Sequence, residues 1–321
     1  MSAVKHHYEK RGKQGMLTEI VYWIINMSIT ASIMGLIVLL IRKIKVIPRR
    51  VSVFLWIIPF FRMCVPVAFT SSLSFMNLFS EYVYKPKTVM VSQPVAGVSM
   101  SYMNSIGAAK SYAPIVYKTN VLEGVFEVAG ITWLVVTLAV LLAFVMMYVV
   151  TMKEIRDAKK VEKGVFVSSK TDSPAVYGIV RPKIVLPEKC EGKNREFVLR
   201  HEKTHIRRKD NLWRLLGFIA ASVHWFNPLS WLFLKVFLAD LELACDESAV
   251  AGLKEKERKE YALSLLGAVR SKNMFVSAFG GAKVRTRIEN LVSYKQMTVF
   301  SAVCFGLLIA AVIYALITNA A

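Results

Sequence analysis

Arg200-His201-Glu202-Lys203-Thr204-His205 contains the pattern H-E-x-x-H, the part of this chain best equipped to do chemistry. On a helix, residues four apart stand one turn apart on the same face, so His201 and His205 can share one metal ion. Glu202 between them is then placed to take a proton from a metal-activated water. The chemistry such a set supports is zinc-assisted hydrolysis of a peptide bond. The chain has five histidines, and two of them occupy these positions.

A third ligand is expected from Glu242-Leu243-Ala244-Cys245-Asp246 on a second helix. Glu242 completes a His, His, Glu set and leaves one corner for water, as catalytic Zn2+ requires. Its neighbours Phe237-Leu238-Ala239 and Leu243-Ala244 are apolar, and a carboxylate there is costly unless paired or on a metal. Asp246, one turn on, is placed to accept the second ring N–H of a ligand histidine. Glu247 and Asp240 do not share that face. Cys245 is a soft donor about 60° round the helix from Glu242 and is read as packing. His224 is either a second donor to the oxyanion or structural; its neighbours Trp225-Phe226 favour the structural role. A strand edge within Ala175–Leu186 could let an extended peptide add on beside the metal.

The elements that must position these residues are mostly apolar helices. The chain is 55% hydrophobic, above the usual range for soluble domains, and the apolar residues cluster. Leu17–Ile41, Val51–Phe69, Val125–Val150 and Met297–Ile317 read as four transmembrane helices. The second is interrupted by Arg62 and two prolines, so Arg62 is expected to face protein or water. Residues 70–124 read as an extracytoplasmic loop. Residues 151–296 form the metal-bearing domain, and 297–321 hold the last span. Within the domain, the short β-rich pieces Val165–Val167, Ala175–Tyr177 and Lys183–Leu186 predict a small hairpin or sheet. Glu196–Leu216 predicts one helix, and Lys254–Arg270 another. Phe218–Phe226 and Leu229–Leu241, broken at Asn227-Pro228, read as a buried or membrane-surface pair, with a re-entrant hairpin as the alternative. Phe275–Lys295 reads as a basic linker.

Net charge is +20, but 28 of the 42 Lys and Arg lie between Met152 and Gln296, and five more follow the first apolar run. Basic residues gathered beside spans follow the positive-inside rule, which favours a cytoplasmic 151–296 region over nucleic-acid binding. The same rule puts the N-terminus outside, against the four Lys and Arg among the first fifteen residues. The apolar pattern begins just after Met16, so residues 1–16 are expected to be an extension. The four cysteines form no C-x-x-C pair, and no disulfide framework or zinc ribbon is expected.

These residues resemble the transmembrane metalloprotease part of bacterial β-lactam receptors of the BlaR/MecR type, a gluzincin-like family. The resemblance rests on Arg200-His201-Glu202-x-x-His205, on His224-Trp225-Phe226-Asn227-Pro228-Leu229-x-Trp231 and on Glu242-x-Ala244-Cys245-Asp246. Tyr177-Gly178-x-x-Arg181-Pro182-x-Ile184, Ala278-Phe279-Gly280-Gly281 and Arg287-Ile288 extend it. It implies a multi-pass protein of the bacterial cytoplasmic membrane, with four spans and a cytoplasmic zinc protease domain. Signalling would proceed by cleavage of a cytosolic repressor or of the chain itself, for example within Ser277–Arg287. By position, it implies His201, His205 and Glu242 as zinc ligands, Glu202 as base and Asp246 as support.

The receptors continue past the last span into a penicillin-binding sensor, and this sequence holds no S-x-x-K with a downstream K-T-G. Gating is therefore expected through the 70–123 loop, a sensor partner or a second copy of the chain. The rival reading is a non-catalytic membrane regulator with a structural zinc site. A small transporter is disfavoured by the large polar insertion and the lack of repeated span pairs.

Overall fold

The computed structural model describes residues 2–44, 47–65, 71–74, 120–188, 190, 192–267, 282–293 and 298–318. Most of the expected 70–124 loop and part of the Ser277–Arg287 segment lie outside them. The protein is predominantly α-helical with one small sheet.

Among the described residues, three helices are long and apolar enough to cross a bilayer. They are the Ile20–Ile41 part of α1 (Ser2–Ile41), the Val125–Lys153 part of α4 (Asn120–Glu154), and α10 (Val299–Ile317). Helix α4 leaves Val128, Val135, Leu138, Leu142 and Val145 exposed. An apolar stripe of that length belongs against lipid or another protein rather than water. Thr298 caps α10, its hydroxyl accepting from Ser301 N.

The second apolar run differs from the expected span. Among the described residues it is helical over 49–64 only, as α2 (Arg49–Ser52), a 3-10 turn (Val53–Trp56) and α3 (Ile57–Cys64). Sixteen helical residues rise about 24 Å, short of the roughly 30 Å hydrocarbon layer. Trp56, Ile58 and Met63 pack into the main core with Met34 and Val38 of α1. Arg62 is buried and faces protein, its guanidinium donating to the Thr318 carbonyl just past α10.

The sheet has the order β1-β2-β4-β3. Strands β2 (Val165–Ser168), β3 (Ala175–Tyr177) and β4 (Lys183–Pro187) match the three expected pieces; β1 (Lys159–Glu162) was not legible because its four residues are all exposed. β2 and β4 pair in parallel, with Val165 opposite Ile184. Val165, Ile184 and Leu186 form a floor under Val198, Leu199 and Ile206 of helix α5 (Gly192–Arg208), which carries the H-E-x-x-H.

The single helix expected over Glu196–Leu216 is two. Lys209 adopts φ +57, the left-handed region, and turns the chain from α5 into α6 (Asp210–Val223). Helix α7 (Pro228–Val250) then follows Asn227, whose Oδ1 accepts from Leu229 N, with Pro228 in the first turn.

The turn joining α6 and α7 meets the interior of the span-length helices. Trp133 Nε1 of α4 donates to the Val223 carbonyl at 2.8 Å, and Asn227 Nδ2 donates to both Ser28 and Ser32 of α1 at 2.8 Å. This turn therefore packs against α1 and α4 within their span-length segments.

Helices α1 and α7 run side by side in the same direction. Beyond Asn227, Gly35 lies so close to Phe233 that an added Cβ would stand 2.1 Å from its ring. Further on, Arg42 Nε reaches both oxygens of Asp240 at 2.8 and 2.7 Å. Trp56 Nε1 donates to the same carboxylate at 2.9 Å. Glu247 accepts the backbone N–H groups of Arg49 and Arg50 at the start of α2, a placement the helix dipole favours.

Two further helices close the domain: α8 (Glu255–Gly267) and α9 (Val284–Val292). The second interrupts the stretch expected to be a linker. Its Asn290 donates to Glu247 of α7.

Candidate metal centre

His201 and His205 stand on the buried face of α5, with Nε2 to Nε2 at 3.1 Å. Each ring is held from behind. His205 Nδ1 donates to Asp210 Oδ2 at 2.7 Å; the left-handed turn at Lys209 is what brings Asp210 back to it. Arg208 Nε in turn donates to Asp210 at 3.2 Å. His201 Nδ1 lies 2.8 Å from the Tyr261 hydroxyl and 3.1 Å from Asp246 Oδ1, and Tyr261 donates to that same oxygen at 2.8 Å.

Carboxylate acceptors at both Nδ1 atoms put the ring protons there. The two Nε2 atoms then face each other at 3.1 Å, across a gap that a shared proton or a cation fills. Glu242 of α7 closes the third side, with Oε2 3.7 Å from His201 Nε2 and Oε1 3.6 Å from His205 Nε2. Metal–ligand bonds of roughly 2.0–2.1 Å in tetrahedral geometry give ligand separations near 3.3 Å. The three groups fit a divalent cation of zinc's size.

Cys245 makes an alternative third donor with the two histidines, all three within 4.8 Å of one another. Its sulfur is 3.7 Å from His201 Nδ1 and 3.5 Å from the His201 carbonyl. Cys245 also contacts the His205 side chain, while Glu242 reaches both Nε2 atoms, so each is placed as a third donor beside the two histidines.

Glu202 is 6% exposed, and among the described residues its carboxylate enters no hydrogen bond or ion pair. Nothing described in the fold competes for it as a proton acceptor. His224 stands apart from the histidine pair, its Nε2 donating to the Met63 carbonyl at 2.9 Å. It ties the α6–α7 turn to α3. Asp240 and Glu247 serve α1 and α2, as described above.

Besides Asp210, three partners of this site were given no part in it by the sequence reading. Arg214 of α6 donates to Glu242 Oε1. Tyr261 is a buried aromatic in the charge-rich α8, which was the one available signal. Arg287 of α9 donates through Nε and Nη2 to both oxygens of Asp246, at 2.7 and 2.8 Å.

Electrostatics follow from this crowding. Burial works to raise the Asp246 carboxyl, but Arg287 and the His201 hydrogen bond bring it down to about 2. Burial opposes a proton on His205, yet Cys245, Glu242 and Asp210 outweigh it and raise the ring to about 9. A metal ligand must be neutral at Nε2, so a cation entering here displaces protons held up to about pH 9. Apparent affinity for a divalent cation is therefore expected to strengthen as pH rises and the two rings lose their protons, by roughly tenfold per unit for each proton released. Competition titration against a fluorescent chelator between pH 6.5 and 8.5 measures this; a flat profile would contradict it.

Residues 22–292 match the family described as BlaR1 peptidase M56. The Methicillin resistance mecR1 protein of Staphylococcus aureus is 26% identical over 141 residues, covering 40% of this chain and 24% of that protein. Regulatory protein BlaR1 of Bacillus licheniformis is 27% identical over 155 residues, covering 44% of this chain and 26% of that protein. The matched region spans about a quarter of the length of these curated relatives.

Proposed function

Because the chain belongs to the BlaR1 peptidase M56 family, we propose that it is a membrane-embedded zinc endopeptidase that transmits a signal by cutting a cytosolic protein, such as a repressor, or itself. The observation that carries this is the convergence of two facing Nε2 atoms and the Glu242 carboxylate, with Glu202 next to His201 on the same helix. His201, His205 and Glu242 would hold the zinc, which supplies a polarised, easily deprotonated water. Asp210 and Asp246 fix the two ring tautomers. Glu202 takes the proton from the attacking water and returns it to the leaving amine. The concentration of Lys and Arg in 151–296 supports a cytoplasmic site, with the three apolar helices as its anchor in the bilayer.

Metal analysis of the purified full chain tests the reading. One zinc per chain is expected, with loss of most of it in His201→Ala and Glu242→Ala. A Cys245→Ser chain should retain it. Zinc retained in Glu242→Ala but lost in Cys245→Ser would replace the carboxylate by the thiolate as third ligand. No zinc in the parent chain would remove the metalloprotease reading.

A further inference from the structure

We propose that Arg287 is a catalytic residue of this site, the donor that receives the oxyanion when a peptide carbonyl is attacked. The inference rests on the metalloprotease reading above. Its basis is where the guanidinium ends up. The side chain is 15% exposed and arrives from α9, an element separate from both ligand-bearing helices. Asp246, itself wholly buried, grips it along one edge through Nε and Nη2. The remaining nitrogen, Nη1, stands 3.8 Å from Glu242 Oε2, and Nη2 is 3.4 Å from His201 Nε2. The fork therefore borders the space enclosed by the ligand atoms.

Asp246 offsets the charge along one edge of the guanidinium and holds Nη1 towards the ligand atoms. In this reaction negative charge develops there. The water oxygen bonds to the carbonyl carbon as Glu202 takes its proton, and the carbonyl π pair moves onto oxygen. When the C–N bond breaks, that pair re-forms the carbonyl of the new carboxyl group, and the amine leaves with the proton from Glu202. An oriented guanidinium matches the transient O⁻ and needs no rearrangement to do so. Asp246 thus positions both a ligand ring and the charge opposite it.

The test uses the full chain in detergent micelles, loaded with cobalt(II), and reads the visible absorption of the ion during titration with inorganic phosphate, a tetrahedral oxyanion. Titration with imidazole, a neutral ligand, serves as control. Arg287→Gln should bind cobalt fully and imidazole normally, but bind phosphate roughly 10- to 100-fold more weakly, the range for a lost charged hydrogen bond. Arg287→Lys, which keeps the charge without the fork, should fall between, and it remains informative where the Gln chain does not fold. Phosphate binding unchanged in the folded variants, weakened equally with imidazole, or absent in the parent chain would overturn the assignment. Failure of the parent chain to take up cobalt would instead overturn the metal reading beneath it.

Discussion

Glu202→Gln is expected to leave zinc bound at the parent stoichiometry while lowering peptide cleavage by about 10²–10⁴-fold, the usual contribution of a positioned general base. The substitution is nearly isosteric. It sits on α5 next to His201, and among the described residues the native carboxylate enters no hydrogen bond or ion pair, so the fold should lose nothing. The measurement pairs zinc analysis with cleavage of the chain itself and of β-casein. The result separates two readings that the geometry alone leaves side by side. A structural zinc site would be indifferent to this residue, and unchanged cleavage by the variant would dismiss Glu202 as base. Loss of zinc together with cleavage would mean that the carboxylate holds the site together rather than serving the reaction.

Asp240→Ala should lower stability by about 3 kcal/mol, the range for removing one partner of a buried ion pair. Asp240 is 1% exposed and serves Arg42 and Trp56 at once. The Arg42 side chain is 26% exposed, so water recovers part of its charge and the lower end of the range applies. Asp240→Asn, which retains an acceptor for the indole N–H, should lose less. Thermal unfolding in one detergent compares the three chains. An alanine variant that melts with the parent would mean that the tie between α1 and α7 carries no energy.

Much of the site was legible because its residue types leave few other options. H-E-x-x-H on a helix places two imidazoles on one face, and a lone glutamate in an apolar helix needs a partner. Local spacing therefore singled out His201, His205, Glu202, Glu242 and Asp246, and the fold gathers the two histidines, Glu242 and Asp246. What it missed lies across the chain or beyond the periodic signal. Asp210 reaches His205 only because Lys209 leaves helical geometry, and nothing about a lysine advertises a left-handed turn. Arg287 stood in a stretch whose basic, glycine-containing composition resembles a linker; the nine-residue α9 is held by tertiary contacts such as Asn290 to Glu247. Hydropathy also gave no sign that Trp56, Ile58 and Met63 of the second apolar run would bury their apolar surface inside the protein.

The two histidines and the glutamate are carried by helices that are tied to each other as well as to their surroundings. α5 rests on the sheet through Val198, Leu199 and Ile206, and it is joined to α7 where Arg200 donates to the Ala249 carbonyl and Arg208 to the Ala244 carbonyl and Ser248. α7 is also fastened to α1 at Asn227, Phe233 and Asp240, the last only two residues before Glu242. A displacement of α1 is therefore passed through α7 to α5 as well, which buffers the spacing between Glu242 and the imidazoles against it.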